Sequence, residues 1–482
     1  MSKHVDLSTF LSEATRTRPP SSIRSLFPTE LIPGMISFLA GKPNASTFPL
    51  QDISLTFKPD AVGGSQADGR PTTVSIAGDD LVTSLQYGPT LGIPKLVKWL
   101  TDFVSEQHGR PIITKGSELD GKDGQTAWGL TVGNGSQDLL GKAFEAILDP
   151  GDTALVEEPA YSGILPQLFM LKATTFGVGS DDQGLCPHKL RAVLEGWKTN
   201  PQTASLKFPK LVYTTPTGAN PAGTTASEQR KREVLQVIRE FDVLLFEDDP
   251  YYYLSFVGLG EDTPQTRKRT PSYWALEEEN RSEWGTGRVF RFDSMSKIMS
   301  AGLRIGFATG PTPIIDAIGA HTSISNLQPA GPTQAIALAL LQHWGRDGFL
   351  QHADTVAAFY KNRRDFFEAA VTRILGANSK EGTGKQIAEW VRPVAGMFLW
   401  IKLKLPPTEK SPEGDSWALI SEKAKANLVL ALPGASFIPG QGTSCYVRTS
   451  FSLVPEDQIE PGLKRLRKTV EDAWAEAGLQ LS

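Results

Sequence analysis

Short apolar runs alternate with amphipathic stretches from about Gly129 onward. "WGLTV" (128–132) has the composition of a buried strand. "GNGS" follows it, and "QDLLGKAFEAIL" then places Leu139, Leu140, Ala143, Phe144 and Ile147 on one helical face. "TALVEEPAY" (153–161), "KLVYTTPTGANPAG" (210–223), "VLLFEDDPYYY" (243–253) and "RVFRFDSMSK" (288–297) each begin apolar and end polar. Between two of them, "SEQRKREVLQVIREF" reads as a helix opened by Ser227. Strands alternating with helices predict an α/β protein whose mostly parallel sheet is covered on both faces. Ligands of such sheets bind beyond the carboxyl ends of the strands. That rule singles out Ser136, Tyr161, Asn220, Asp248, Tyr251 and Lys297.

The pattern changes near Trp344. A long helical stretch (349–375) leads to the strand-like "VRPVAGMFLWIKL" and a Pro- and charge-rich loop, "PPTEKSPEGDSW". The last helix carries Ile459, Leu463, Leu466, Val470 and Trp474 on one side. The expected division is an N-terminal arm (1–55), a large domain (56–345) and a smaller α+β domain (346–482). The arm is rich in Pro, Ser and Thr around the apolar "PGMISFLAGKPN" and reads as an extended segment that packs on something else. Residues 114–127 and 258–287 read as surface insertions.

Composition removes several classes of function. The net charge of −4 and the lack of a long basic run argue against nucleic-acid or membrane binding. Cys186 and Cys445 are the only cysteines, too far apart in sequence for a CxxC motif, and six histidines with no HExxH make zinc an unexpected ligand. No signal-peptide core or membrane-length apolar run is visible, so a cytoplasmic protein is expected. "GSQDLLGK" fails as a phosphate loop, because Gly135 and Gly141 are one residue too far apart and Ala143 follows Lys142. No GxSxG is present to form a hydrolase elbow.

The polar residues at the strand ends suit pyridoxal phosphate (PLP), which makes four separate demands. An amine must form an imine, and Lys297 fits if burial and a nearby cation lower its pKa. A carboxylate must keep the pyridine nitrogen protonated; Asp248 ends an apolar strand, with Asp249 pointing away as its neighbour. The phosphate needs donors at a helix N-terminus; "GNGSQ" offers Ser136 and Gln137, with Ser294, Ser296 and Arg304 able to add to them. The ring needs a stacking face, for which Tyr161 is suited, and donors to its 3-oxygen, for which Asn220 and Tyr251 are suited. Each residue also has an ordinary structural explanation: a loop lysine, a solvated "EDDPY" turn, an N-cap serine, a surface arginine pair, core tyrosines. Their joint order carries the case.

In that order, "NGSQ", "EPAYSG", "PTGANPAG", "EDDPYY", "DSMSK" and "GLRIGF" resemble the fold-type I PLP-dependent aminotransferases of classes I and II. The resemblance runs from "PSSIRSLFP" to "YVRTSFS" and points to the subgroup of fungal aromatic amino acid and kynurenine/2-aminoadipate aminotransferases. It implies a seven-stranded-type sheet between helices, with Lys297 as the imine lysine and Asp248 as the pyridine partner. It also implies Asn220 and Tyr251 at the 3-oxygen, Tyr161 on the ring, and Ser136, Gln137, Ser294, Ser296 and Arg304 at the phosphate. Arg448 resembles the arginine that grips the substrate α-carboxylate. Tyr87 resembles a tyrosine reaching into a partner subunit's site, which implies a homodimer, and Gly41 and Arg24 resemble residues that close over the substrate. Ala219 and Ala222 depart from the more usual Asn and Thr. The implied reaction is ping-pong transamination of an L-amino acid, first choice aromatic, with a 2-oxo acid such as 2-oxoglutarate. Kynurenine, 2-aminoadipate or a secondary-metabolite precursor remain alternative substrates, and a PLP lyase or synthase an alternative reaction. A fused transcription regulator is disfavoured, since the arm is too short and Pro-rich for a helix-turn-helix domain.

Overall fold

The computed structural model describes residues 5–19, 26, 29–30, 32–39, 41–377, 379–440 and 442–481. Strands β1 (Asp52–Thr56) and β2 (Thr73–Ala77) form a small antiparallel ribbon. The large sheet contains β3 (Trp128–Gly133), β4 (Thr153–Glu158), β5 (Thr174–Asp181), β6 (Gly184–Leu185), β7 (Leu211–Thr214), β8 (Leu244–Asp248), β9 (Val289–Ser294) and β10 (Gly306–Pro311). Its order is β3-β10-β9-β8-β7-β4-β5-β6.

The central strands β5, β4, β7, β8 and β9 are parallel, as the apolar runs predict. β10 departs from that rule and runs antiparallel to both neighbours. Only two short helical turns separate Ser294 from Gly306, too little chain for the crossover a parallel partner requires. The chain therefore turns back at once, and this tight return carries Lys297. The two-residue β6 is an antiparallel extension at the far edge.

Helices cover both faces. The helix Ser136–Ile147 buries Leu139, Leu140, Ala143, Phe144 and Ile147 against Tyr213, Phe246, Phe290 and Phe292 of the sheet. The helix Glu228–Phe241 starts where expected, with the Arg230 N–H donating to Ser227 Oγ at 3.3 Å. It covers the opposite face, in the cluster that holds Val212, Leu245 and Val289.

The small sheet orders β11 (Ala388–Trp390), β12 (Phe398–Leu403), β14 (Tyr446–Ser450) and β13 (Leu432–Pro433), all antiparallel. The last helix, Glu456–Glu476, buries Ile459, Leu463, Leu466 and Val470. The helical stretch Gly331–Leu375 breaks at Gly345, whose φ of 59° is open to glycine at little cost.

The two expected surface insertions need correction. Residues 258–287 are not simply a surface insertion: Tyr273 and Trp274 are fully buried, and Arg267 pairs with Asp354 at 2.6 Å. The other expected insertion packs on this segment, with Thr126 Oγ1 donating to the Thr286 carbonyl at 2.7 Å. Charged residues flanking "YWAL" disguise a short buried helix as a loop. The beginning of the arm also packs on the large domain. Leu7 and Phe10 join the core around the helix Ser136–Ile147, and Ser12 Oγ donates to the Glu145 carbonyl at 2.8 Å.

Candidate active site

Strand ends, helix starts and one strand of the small sheet converge on a cavity of about 320 Å³. Ser136, Gln137, Tyr161, Asn220, Asp248, Tyr251, Ser294, Ser296, Lys297, Arg304 and Arg448 all line it. Thr215, Pro250, Ala301 and Phe398 complete the wall, and none of these four stands out in the sequence.

One end is built to receive an anion. Gly135, with φ of 87°, turns the chain into the helix at Ser136. A side chain at Gly135 would collide with the Arg304 guanidinium, and a Cβ at Gly306 would lie 2.5 Å from the Ser136 nitrogen. Both glycines thus let backbone N–H groups at the helix start face the cavity, where the dipole favours negative charge. Arg304 itself is left-handed, with φ of 52°, a conformation that a non-glycine residue holds only when its surroundings enforce it. Its guanidinium donates to Ser296 Oγ at 3.3 Å and to the Asn134 carbonyl at 3.1 Å. The Ser296 N–H donates to Ser294 Oγ at 3.2 Å, which shapes the turn ending at Lys297. Gln137 uses its side chain differently: Nε2 donates to the Gly163 carbonyl at 2.7 Å and ties the helix start to the loop that carries Tyr161.

Lys297 is half-buried. Burial, then the charges of Arg304 and Arg448, push its ammonium pKa below the ordinary lysine value, so more of the amine is neutral and nucleophilic. Asp248 is buried and holds two distinct oxygens. Oδ2 accepts from the Tyr213 hydroxyl at 2.6 Å, whereas Oδ1 is buried with no protein partner. Burial raises its pKa to about 7, with the Tyr213 bond opposing. A buried carboxylate oxygen without a donor is costly, and a protonated pyridine nitrogen is the donor it lacks. The residues present therefore fit PLP.

Tyr161 lies over Gly163, where a Cβ would come within 2.5 Å of its ring. Burial, then Asp248, raise the Tyr161 phenol pKa, and the same two causes in the same order raise that of Tyr251; both stay neutral donors. Arg448, on β14, donates to Asn220 Oδ1 at 2.7 Å. Its guanidinium lies 4.3 Å from the Phe398 ring centre and 5.2 Å from that of Phe437.

The structure does not bring every expected residue to this cavity. Tyr87 is 54% exposed and Gly41 is exposed on the arm; neither is among the lining residues. Arg24 lies outside the described residues. Tyr213 and Phe437 are contributors that the sequence reading passes over.

A sheet of this topology, with such a lysine, carboxylate and anion cradle, defines a PLP enzyme. Comparison with known proteins agrees. Residues 78–466 match the family described as aminotransferase class I and II. Aminotransferase tdiD of Emericella nidulans is 40% identical over 452 residues, covering 94% of this chain and 93% of that protein. The mitochondrial kynurenine/alpha-aminoadipate aminotransferase of Bos taurus is 35% identical over 473 residues, covering 96% and 99%. The crystal structure of the aromatic aminotransferase Aro9 from Candida albicans superposes with a TM-score of 0.80 at 26% identity, covering 98% and 99%. The chain belongs to the class I and II aminotransferases and is a PLP-dependent transaminase of amino acids.

Proposed function

We propose that the chain transaminates aromatic L-amino acids with a 2-oxo acid, 2-oxoglutarate being the expected acceptor. The carrying observation is the aromatic wall beside Arg448. Phe398 and Phe437 flank the guanidinium, and Tyr251 meets Phe398 edge-on at 6.2 Å. A substrate held by its α-carboxylate at Arg448 would meet the Phe398 and Tyr251 rings, which line the cavity while Phe437 backs the guanidinium from within, and that suits a flat side chain. The aromatic aminotransferase among the similar structures supports the same reading.

When bound, PLP supplies an aldehyde that takes up the substrate nitrogen and a ring that accepts the electron pair left at Cα. Lys297 would be the base that moves the proton from the substrate Cα; its lowered pKa keeps it competent for that role. Asp248 Oδ1 would accept from the protonated ring nitrogen. Asn220 and Tyr251 would donate to the 3-oxygen, and Tyr161 would supply the stacking face. The Ser136 and Gln137 N–H groups, Ser294, Ser296 and Arg304 would hold the phosphate. Arg448 binds the α-carboxylate of donor and acceptor in turn, which lets one site run both halves of a ping-pong cycle.

The site is completed by a second copy of the chain, with Tyr87 reaching across, while Gly41 on the arm closes over the substrate. Exposed apolar residues on the arm, Ile36 and Phe38 among them, support that homodimer. We assign the chain to the cytoplasm, and its parts to residues 1–55, 56–345 and 346–482. Among the described residues no helix is long and apolar enough to cross a membrane.

Single-turnover loss of the cofactor's visible band, followed with Phe, Tyr, Trp, kynurenine, 2-aminoadipate and Ala, tests the substrate class. The aromatic donors should exceed 2-aminoadipate and Ala by about tenfold or more in kcat/KM, the discrimination that a few well-packed carbons provide. A preference for 2-aminoadipate over every aromatic donor overturns the proposal.

Asp248 also predicts a pH dependence of the cofactor-free protein. Its folded pKa lies above that of an exposed aspartate. Between those two values the folded state binds more protons than the unfolded chain, so stability falls as pH rises. Asp248→Asn removes that loss. The variant should match the unsubstituted protein at about pH 4 and exceed it by up to roughly 4 kcal/mol at about pH 8, read from denaturant melts. Equal pH slopes for the two proteins would show that burial does not perturb this carboxylate.

A further inference from the structure

Behind Asp248, on the other face of the sheet, lies a buried charge cluster that the reaction does not use directly. Arg291 has 0% side-chain exposure and binds three carboxylates. Nη1 lies 3.2 Å from Glu247 Oε1 and donates to Asp249 Oδ2 at 3.1 Å. Nε and Nη2 grip Asp293 at 2.9 and 2.8 Å. The guanidinium also stacks over Tyr252 at 4.6 Å. Glu247 and Asp249 flank Asp248 in sequence, and alternation along an extended chain sends them to the side opposite Asp248. Asp293 lies next to Ser294, where the turn to Lys297 begins.

We propose that Arg291 is a positioning residue for the cofactor site: it ties the end of β8, which presents Asp248, to the end of β9, which leads to Lys297, and supplies the fixed positive charge behind Asp248. The proposal rests on the reading that Asp248 and Lys297 hold PLP. Register supports the geometry, since Glu247 pairs with Arg291 and Asp248 with Phe292. The planar fork of arginine engages carboxylates on two strands with fixed geometry, which a lysine ammonium does not reproduce. Charge balance supports the second part. Glu247, Asp248, Asp249 and Asp293 are all buried within this corner, and Arg291 acts on each of them. A second cation, Lys231 from the helix Glu228–Phe241, donates to the Pro271 carbonyl at 2.8 Å and acts on Glu247 and Asp249; Arg110 acts on His108 and Arg269 on Tyr252. His108, from the helix Pro94–His108, is pushed well below the ordinary histidine pKa by burial and is neutral. Tyr161, Tyr213 and Tyr251 face Asp248 from the cavity side, and Arg304 and Arg448 act on Lys297.

The test uses holoenzyme reconstituted with PLP. It reads the pH midpoint of the visible band of the lysine-bound cofactor and the rate of PLP release into a scavenging apoenzyme. Arg291→Met removes the fixed positive charge behind Asp248 and should raise the midpoint by about one unit. Arg291→Lys keeps the charge but loses the fork. It should hold the midpoint within about 0.3 unit while releasing PLP about tenfold faster. A merely structural arginine would lower the melting temperature of both variants and leave the band's midpoint in place, which overturns the proposal. A midpoint shift in Arg291→Lys as large as in Arg291→Met overturns the charge role. If Arg291→Met does not fold, Arg291→Lys decides, and an unchanged release rate there overturns the tie between strands. Absence of any titrating band in the unsubstituted holoenzyme is a different failure, that of Lys297 as the cofactor's lysine.

Discussion

Lys297→Ala is expected to bind PLP but not to turn over. The phosphate cradle, built from the helix start at Ser136, from Ser294 and Ser296, and from Arg304, is independent of the lysine side chain. The orphan Asp248 Oδ1 still offers its acceptor to the ring nitrogen. Retention of cofactor through these anchors is therefore expected, with the visible band moved to that of the free aldehyde. Turnover loses two contributions together: the base at Cα and the attachment from which substrate amine displaces the cofactor. General base catalysis alone is worth about 10²–10⁴-fold, so kcat should fall by about 10⁴-fold or more. Rapid-mixing absorbance with an aromatic amino acid checks this, since the substrate complex should form and then persist. Near-normal kcat in this variant would remove Lys297 from the chemistry. Failure to retain any PLP would show that the anion cradle does not hold the phosphate as assigned.

Ser136, Tyr161, Asn220, Asp248, Tyr251 and Lys297 can be read from the pattern because each follows an apolar run, whereas Arg448 comes from the family resemblance alone. Asp248 after "VLLFE" and Lys297 after "RVFRFDSMS" are of this kind, because a strand end places whatever follows it at the ligand-binding edge. The contributors that escaped notice depend on contacts between elements. Tyr213 lies inside a strand and meets Asp248 across the ladder from β7 to β8; nothing local distinguishes it from a core tyrosine. Phe398 and Phe437 reach Arg448 from separate parts of the small domain. Arg291 looks like an ordinary strand residue until Glu247, Asp249 and Asp293 surround it. The antiparallel course of β10 likewise follows from the length of a connection rather than from any hydrophobic period. Tyr87 shows the limit of a single chain, for the role the family resemblance implies for it lies in a partner subunit's site.

Arg448→Leu should lower kcat/KM for every amino and oxo acid by about 10³-fold, because one partner of a desolvated charge pair is worth roughly 2–5 kcal/mol. The loss should be similar in both half-reactions, since donor and acceptor share only the α-carboxylate. Arg448→Lys restores the charge without the fork. It also gives up stacking between Phe398 and Phe437 and the fixed bond to Asn220, so it should recover only about tenfold of that loss. Phenethylamine, which has the aromatic side chain but no carboxylate, separates binding from damage to the site. Arg448→Leu should process it no more slowly than the unsubstituted enzyme does, because Arg448 has nothing to hold in that substrate. If phenethylamine turnover fell in parallel with that of phenylalanine, Arg448 would be supporting the architecture around Asn220 and Tyr251 instead of gripping the carboxylate.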